Sequence, residues 1–193
     1  MDTTSAVRMA VAKRPHALFV SSLGTATSAL RKATDDGPHL YLGGAMGSGL
    51  AVALGVAHNS SNTEVVAVIG DGDLLMGAGS LWDLASLRPA NLTVVVLSDG
   101  AYSITGGQTL GCPARAQAVA LALGLAAGAA DDEDELAELL SDMNIRVIEA
   151  NVQPGAPWPG PSPFVDPWLV KHRLRQALDS DRGADRWSSN ASM

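Results

Sequence analysis

The chain has 193 residues, 47% of them hydrophobic and 17% charged, with 20 glycines; this is a globular composition, and the length suits one domain with a sizeable core. Thirteen Lys and Arg against 20 Asp and Glu give a net charge of -7, which argues against generic binding to nucleic acid or to an anionic membrane surface. Apolar runs are broken by Gly, Asn and Asp before the roughly 18–20 residues of a membrane span, and MDTTSAVRMAVAKRP lacks the apolar core and cleavage site of a secretory signal. The single cysteine, Cys112, permits neither an internal disulfide nor a thiolate metal cluster, so the expected setting is reducing and cytoplasmic.

The first predicted strand is Ala17 to Val20, and SSLGTATSAL then turns the chain into a helix carrying Leu30. Leu40 to Leu42 reads as a short strand. A glycine-rich turn follows, and from near Gly49 a helix carries Leu50, Leu54 and Val56. Its Ala, Val, Leu and Gly composition predicts burial on most sides, and His58-Asn59 marks its end. Glu64 to Ile69, EVVAVI, is a β-branched run that predicts a buried parallel strand ending at Gly70. A helix over about Gly77 to Leu87 stops at Arg88-Pro89. Asn91 to Leu97, NLTVVVL, repeats the buried-strand pattern and ends at Ser98-Asp99-Gly100.

Beyond the loop AYSITGGQTLGCP, a helix is expected over Arg115 to Leu125. The acidic run Asp131 to Glu135 opens an amphipathic helix, and Ile145 to Glu149 is the last strand. NVQPGAPWPGPSPFVDP is too proline-rich for regular structure and is expected to wrap over the surface. PWLVKHRLRQAL sets Leu169, Leu174 and Leu178 near one face of a terminal helix. Residues 1–178 are thus expected to form one domain and 179–193 a polar, disordered tail. Strands alternating with helices predict an α/β fold: a doubly wound, mostly parallel sheet with helices on both faces, binding ligands at the carboxyl ends of its strands.

Three turns fall at such ends or at helix entries: Gly43-Gly44-Ala45-Met46-Gly47, Gly70-Asp71-Gly72-Asp73 and Ser98-Asp99-Gly100-Ala101. Asp71 and Asp99 each follow a buried strand, so neighbouring strand ends let two carboxylates converge on one hard cation such as Mg2+ or Ca2+. The glycines around Asp71 allow close backbone approach, and the helix N-terminus after them offers N–H groups to a phosphate. An isolated GDG is more often only a strand-to-helix turn with a capping Asp. The second strand with the second Asp is what moves the reading to a metal and diphosphate site.

Gly70-Asp71-Gly72, a spacer of 26 residues (73 through 98) and Asp99 resemble the spaced signature of thiamine-diphosphate-dependent decarboxylases, in their diphosphate-binding (PP) domain, where Asn ends the motif. The likeness extends over GGAMGSGLAVALGVA, GDGDLLMGAGSLWDLAS, NLTVVVLSDGAYSITGGQ and PFVDPWLVKHRLRQAL, roughly residues 15–178. Within the family the chain looks most like the β subunit of sulfopyruvate decarboxylase and the matching part of phosphonopyruvate decarboxylase, particularly at TGGQT.

The resemblance implies that Asp71, Asp99 and the main-chain carbonyl of Ala101 ligate Mg2+, with two diphosphate oxygens and a water completing an octahedron. It sets the Gly44 carbonyl against the aminopyrimidine amino group, Met46 under the V-shaped fold of thiamine diphosphate, and Gly24 and Thr25 at the diphosphate. Ala45, Gly70, Gly72, Asp73 and Tyr102 complete the expected cofactor-binding set. Asp99 in place of Asn adds a negative charge. Asp73 stands where the family has a small residue, often a Ser that donates to the diphosphate, so its carboxylate repels the cofactor unless it turns away.

The family's catalytic Glu lies on a PYR domain for which 193 residues leave no room. The resemblance therefore implies a PP-domain (β) subunit, inactive alone, that forms a heterodimer or heterotetramer with a PYR-domain (α) subunit. The cofactor would lie at their interface and decarboxylate a small 2-oxo acid such as sulfopyruvate or phosphonopyruvate. Two other readings stay open: a carboligase subunit of acyloin or acetolactate type, and a non-catalytic scaffold or regulatory subunit, motivated by Asp73 and Asp99. A dinucleotide enzyme is disfavoured, since no G-x-G-x-x-G follows an early strand.

The histidines, His16, His39, His58 and His172, have no ligand spacing and read as surface or helix-end residues. Cys112 has no local partner and reads as incidental. Tyr102 to Thr109 is a candidate site cover or an ordinary loop, with Thr105 and Gln108 placed to meet a substrate anion. Leu81, Trp82 and Leu84 read as core or subunit interface.

Overall fold

In chain order the computed structural model, which describes residues 1–35, 37–155 and 158–188, contains α1 (Thr3–Lys13), β1 (Leu18–Ser21), α2 (Gly24–Ala33), β2 (Leu40–Tyr41) and α3 (Gly49–Asn59). Next come β3 (Val65–Gly70), α4 (Asp71–Met76), α5 (Ser80–Leu87), β4 (Leu92–Ser98), β5 (Ala101–Tyr102) and β6 (Gln108–Thr109). The chain continues with α6 (Ala116–Ala122), β7 (Ala127–Ala130), α7 (Glu133–Ser141), β8 (Val147–Asn151) and α8 (Pro167–Ser188). Six strands form one sheet in the order β2-β1-β3-β4-β8-β7, with every neighbouring pair parallel. A small antiparallel hairpin, β5-β6, stands apart from it.

The two β-branched runs make the centre. β3 and β4 pair in register from Val65↔Leu92 to Gly70↔Leu97. Their side chains alternate into two cores: Val66, Val68 and Val95 pack with α1, α2 and α7 residues, while Val65, Ala67, Ile69, Val94 and Val96 pack with α3, α5 and α6 residues. Helices on both faces explain why these strands read as unbroken apolar runs. The chain leaves β1 toward β2 on one side and leaves β3 toward β4 on the other, so strand order reverses between β1 and β3. A crevice at the carboxyl ends belongs to that reversal. The α/β, doubly wound expectation is thus met.

Several local expectations are corrected. The GDG segment is not a plain turn: Asp71 opens α4, whose N-cap is Gly70, because the chain enters helical geometry directly off β3. The helix expected over about Gly77 to Leu87 is α5, which begins at Ser80, and the separate α4 that ends before Gly77 was not expected. α3 buries one face through Leu50, Ala53, Leu54 and Ala57 and exposes Ala51, Gly55 and His58, since a single sheet face covers it. β7 is AGAA, a composition with little strand preference; pairing with β8 creates it. A Cβ at Gly128 would push the Leu139 side chain aside. α1 arises from a segment read only for targeting signals, with Asp2 capping the Ser5 N–H at 2.8 Å. α8 runs on to Ser188, since no proline interrupts residues 179–188; residues 189–193 of the expected tail lie outside the described residues. No described helix is long and apolar enough to cross a membrane.

His39 is a further correction, since it is buried rather than on the surface. It precedes β2, and its Nδ1 accepts the Phe19 N–H at 3.2 Å while Nε2 lies 3.0 Å from the Thr34 hydroxyl. Its ring sits edge-on to Phe19. Burial pushes its pKa down to about 4, against a pull upward from Asp35. The unfolded chain therefore binds a proton that the folded chain refuses between pH 6.5 and 4, so stability falls as pH falls through that window. The expected loss is roughly 2–3 kcal/mol for a shift to about 4. In His39→Asn, which keeps an acceptor for Phe19, the difference between urea-denaturation free energies at pH 7 and pH 4.5 should shrink by about that amount.

Candidate functional site

The register of β3 and β4 sets the site. Gly70 lies opposite Leu97, so the residues that follow, Asp71 and Asp99, leave the sheet side by side. Asp71 is 3% exposed. Its Oδ1 accepts the Gly72 N–H at 2.7 Å and its Oδ2 the Gly100 N–H at 2.8 Å, so one carboxylate ties the β3 turn to the β4 turn. Asp99 is half-buried and is held through Oδ1 by the Ala101 N–H at 3.0 Å and through Oδ2 by the Ser103 hydroxyl at 2.5 Å. Burial pushes the Asp71 carboxyl above the usual carboxylate range, the Gly100 N–H draws it back, and the Asp99 charge pushes it up again. A cation between the two acids would relieve this repulsion, and each carboxylate keeps lone pairs free for it.

Two helix N-termini open on the same cleft. α2 starts at Gly24 and α4 at Asp71, and neither has a side-chain hydrogen bond at its cap. Gly24, Thr25, Gly70, Gly72, Asp73, Ala101 and Tyr102 line the cleft along with Asp71, Asp99 and Met46. No Lys, Arg or His is among its described lining residues. Negative charge there can be met by backbone N–H groups, by the hydroxyls of Thr25, Tyr102 and Thr105 and by a cation held on Asp71 and Asp99, an arrangement better suited to a metal-bound diphosphate than to a free one. Among the described residues no group of three or more His, Cys, Asp or Glu forms a metal cluster, so a cation here needs backbone, ligand or water oxygens besides the two acids.

Gly72 sits between two walls. A Cβ on it would lie 2.7 Å from the Tyr102 ring and 3.6 Å from Met46 Cε. The β5-β6 hairpin closes the side of the cleft: Ser103, Ile104 and Thr105 line it, and Ile104 lies 3.5 Å from the place of a Gly24 Cβ. Gln108 is outside the lining and exposed; its amide donates to the Thr105 carbonyl, and the Thr105 hydroxyl donates back to Gln108. The two side chains bind each other, with Thr105 in the cleft lining and Gln108 outside it. Gly44 and Ala45 are exposed beside the cleft, and the Gly44 carbonyl already accepts the Met46 N–H at 2.9 Å, leaving one lone pair for a ligand. Asp73 is buried with Oδ1 on the Gly47 N–H at 2.6 Å; burial pushes its pKa up, and Gly47 and Ser22 pull it down.

Ser103 was missed by sequence reasoning, although a hydroxyl four residues after Asp99 was there to be weighed. Thr3, Leu23 and Val152, also in the lining, carry no local signal and reach the cleft through topology. Cys112 is exposed and remote from the lining.

Fold and site together define a doubly wound domain whose switch-point cleft suits a metal-bound diphosphate. Residues 22–150 match the family described as thiamine pyrophosphate enzyme, C-terminal TPP binding domain, and the chain belongs to that family. Phosphonopyruvate decarboxylase of Streptomyces hygroscopicus is 38% identical over 168 residues, covering 84% of this chain and 42% of that protein. Sulfopyruvate decarboxylase subunit beta of Methanococcus maripaludis is 28% identical over 166 residues, 83% of this chain and 89% of that subunit. The chain thus spans less than half the length of the phosphonopyruvate decarboxylases it matches. Benzoylformate decarboxylase from Polynucleobacter necessarius shares the fold with a TM-score of 0.67 at 18% identity, over 79% of this chain and 33% of that one. The 2-oxoglutarate:ferredoxin oxidoreductase of Magnetococcus marinus does so with a TM-score of 0.57 at 21% identity, over 86% and 65%.

Gly72→Ala should cost about 1–3 kcal/mol by forcing its Cβ into Tyr102. The double variant Gly72→Ala/Tyr102→Ala should show a favourable coupling of at least about 0.5 kcal/mol in urea denaturation, because the clashing ring is gone.

Proposed function

We propose that this chain is the PP-domain (β) subunit of a heteromeric, thiamine-diphosphate- and Mg2+-dependent 2-oxo acid decarboxylase. Its substrate is of the sulfopyruvate or phosphonopyruvate kind, it works in the cytoplasm, and a PYR-domain (α) subunit supplies the catalytic Glu. The observation that carries the reading is the convergence of Asp71 and Asp99 between two uncapped helix N-termini in a cleft without a basic residue. Asp71, Asp99 and the Ala101 carbonyl hold Mg2+; the first-turn N–H groups of α2 receive the diphosphate. Met46 and Tyr102, flanking Gly72, form the apolar walls. When bound, thiamine diphosphate supplies an electron sink for the pair left behind by departing CO2.

The size of the cleft supports a shared site. It encloses about 90 Å3, well short of the roughly 300–1,000 Å3 of a complete small-molecule pocket. Around it, the helices that follow Asp71 expose apolar side chains: Met76 is 64% exposed, Trp82 55% and Leu87 48%. Leu81 and Leu84 of the same helix are core, so the earlier choice between core and interface divides within α5. These exposed groups suit burial against the α subunit.

The chain purified at native abundance from its host should carry a stoichiometric partner bearing a PYR-domain Glu, identified by mass spectrometry. That complex should bind thiamine diphosphate with millimolar Mg2+ and release CO2 from the 2-oxo acid. Asp71→Ala should abolish cofactor binding, and unchanged binding in that variant would refute the reading. A complex that binds no thiamine diphosphate at all would favour a scaffold subunit instead.

A further inference from the structure

Asp73 is 6% exposed, yet its side chain is not directed at the other two acids. Oδ1 accepts the Gly47 N–H at 2.6 Å. Oδ2 is buried with no hydrogen-bond partner among the described residues; it lies 3.0 Å from the place of a Gly49 Cβ, a position that also approaches Ser22. The segment it grips is built for close backbone contact. Gly47 has φ +84°, and a Cβ on Gly77 would collide with the Gly47 backbone. The other backbone hydrogen bonds of the segment are local or run to β1: Met46 to Gly44, Ser48 to Ala45, and Gly44 to Ser22. The bond from Gly47 to Asp73 is what ties the segment to α4.

We propose that Asp73 is a positioning residue, a carboxylate latch that fastens the Gly44–Gly47 segment to α4 and so sets Gly44 and Met46 at the cleft, and that it does not contact the diphosphate. The charge that would repel a diphosphate is committed to the Gly47 N–H instead. Only Asp or its isostere Asn spans the gap; Ser at this position is too short to reach Gly47. The effect on cofactor binding rests on the thiamine-diphosphate reading above, whereas the latch rests on the geometry alone.

Asp73→Ala, Asp73→Ser and Asp73→Asn in the full chain separate the two. In the chain without cofactor, amide exchange of Gly47 is measured by NMR against Val95 in β4, which reports global opening. Gly47 should exchange about tenfold or more faster relative to Val95 in the Ala and Ser variants, as expected for loss of a hydrogen bond to a charged group. Asn keeps the acceptor and should stay within about threefold of the parent. Equal Gly47 exchange in all four proteins would overturn the latch, and because Asn is isosteric the comparison survives a failure of the Ala variant to fold. In the complex isolated from the host, the thiamine diphosphate concentration for half-saturation should rise about tenfold in the Ala and Ser variants. Asn should restore it. Tighter cofactor binding in Ala, Ser and Asn alike would mean that Asp73 repels the diphosphate directly, which also overturns the proposal. If the parent complex binds no thiamine diphosphate, the functional reading fails and the exchange data alone decide the latch.

Discussion

The hydrogen bond from the Gly100 N–H to Asp71 Oδ2 is where sheet geometry becomes chemistry. It exists because β3 and β4 pair in parallel as far as Gly70 against Leu97, so two chain segments distant in sequence leave the sheet together. Parallel strands require a crossover, and the crossover here is α4 and α5. Its first residue is Asp71. The acid is therefore at once the end of a strand, the start of a helix and the brace of the adjacent loop. A shift of one residue in the β3/β4 register would turn the apolar faces of the strands and separate the two carboxylates in a single step.

A buried acid beside a half-buried one is unfavourable, and nothing basic in the lining offsets it. The surroundings oppose the charge on Asp71 by burial and by Asp99, and favour it through the backbone N–H groups of Gly100, Gly72 and Asp71 itself. Such a balance leaves the pair hungry for a cation while α2 and α4 present their positive ends next to it. The two features have opposite sign and suit a ligand that carries both signs, as the proposed metal ion with an anion attached does. That complementarity separates this cleft from a phosphate site built on Lys or Arg.

The strand runs EVVAVI and NLTVVVL, the acids after them and the glycines around them were legible because burial on both faces and a need for close backbone approach leave strong local signatures. Gly24, Thr25, Met46, Gly70, Asp71, Gly72, Asp99, Ala101 and Tyr102 were named from sequence and line one cleft. The illegible parts depended on tertiary context. β7 is a strand only because β8 lies beside it, and His39 is buried only because β1 presents an N–H to it. Asp73 reads in sequence as a misplaced charge at the diphosphate, since nothing local tells that Gly47 lies within reach of its carboxylate.

The cleft and the exposed apolar surface are joined by one short crossover. α4 is six residues long, carrying Asp71 and Asp73 at its start and Met76 at its end, and Met76 is largely exposed while Asp71 is buried. A helix of six residues has little stability of its own, so its position is set by what packs against it. One end is fixed by hydrogen bonds to Gly100 and Gly47; Leu74 is anchored in the core, while Leu75 and Met76 at the other end are exposed. Covering Met76 and the neighbouring Trp82 with another protein would therefore stabilise the same helix whose first turn faces the ligand. On the proposed reading, assembly and ligand binding would then favour each other by linkage, because each would select the same position of α4.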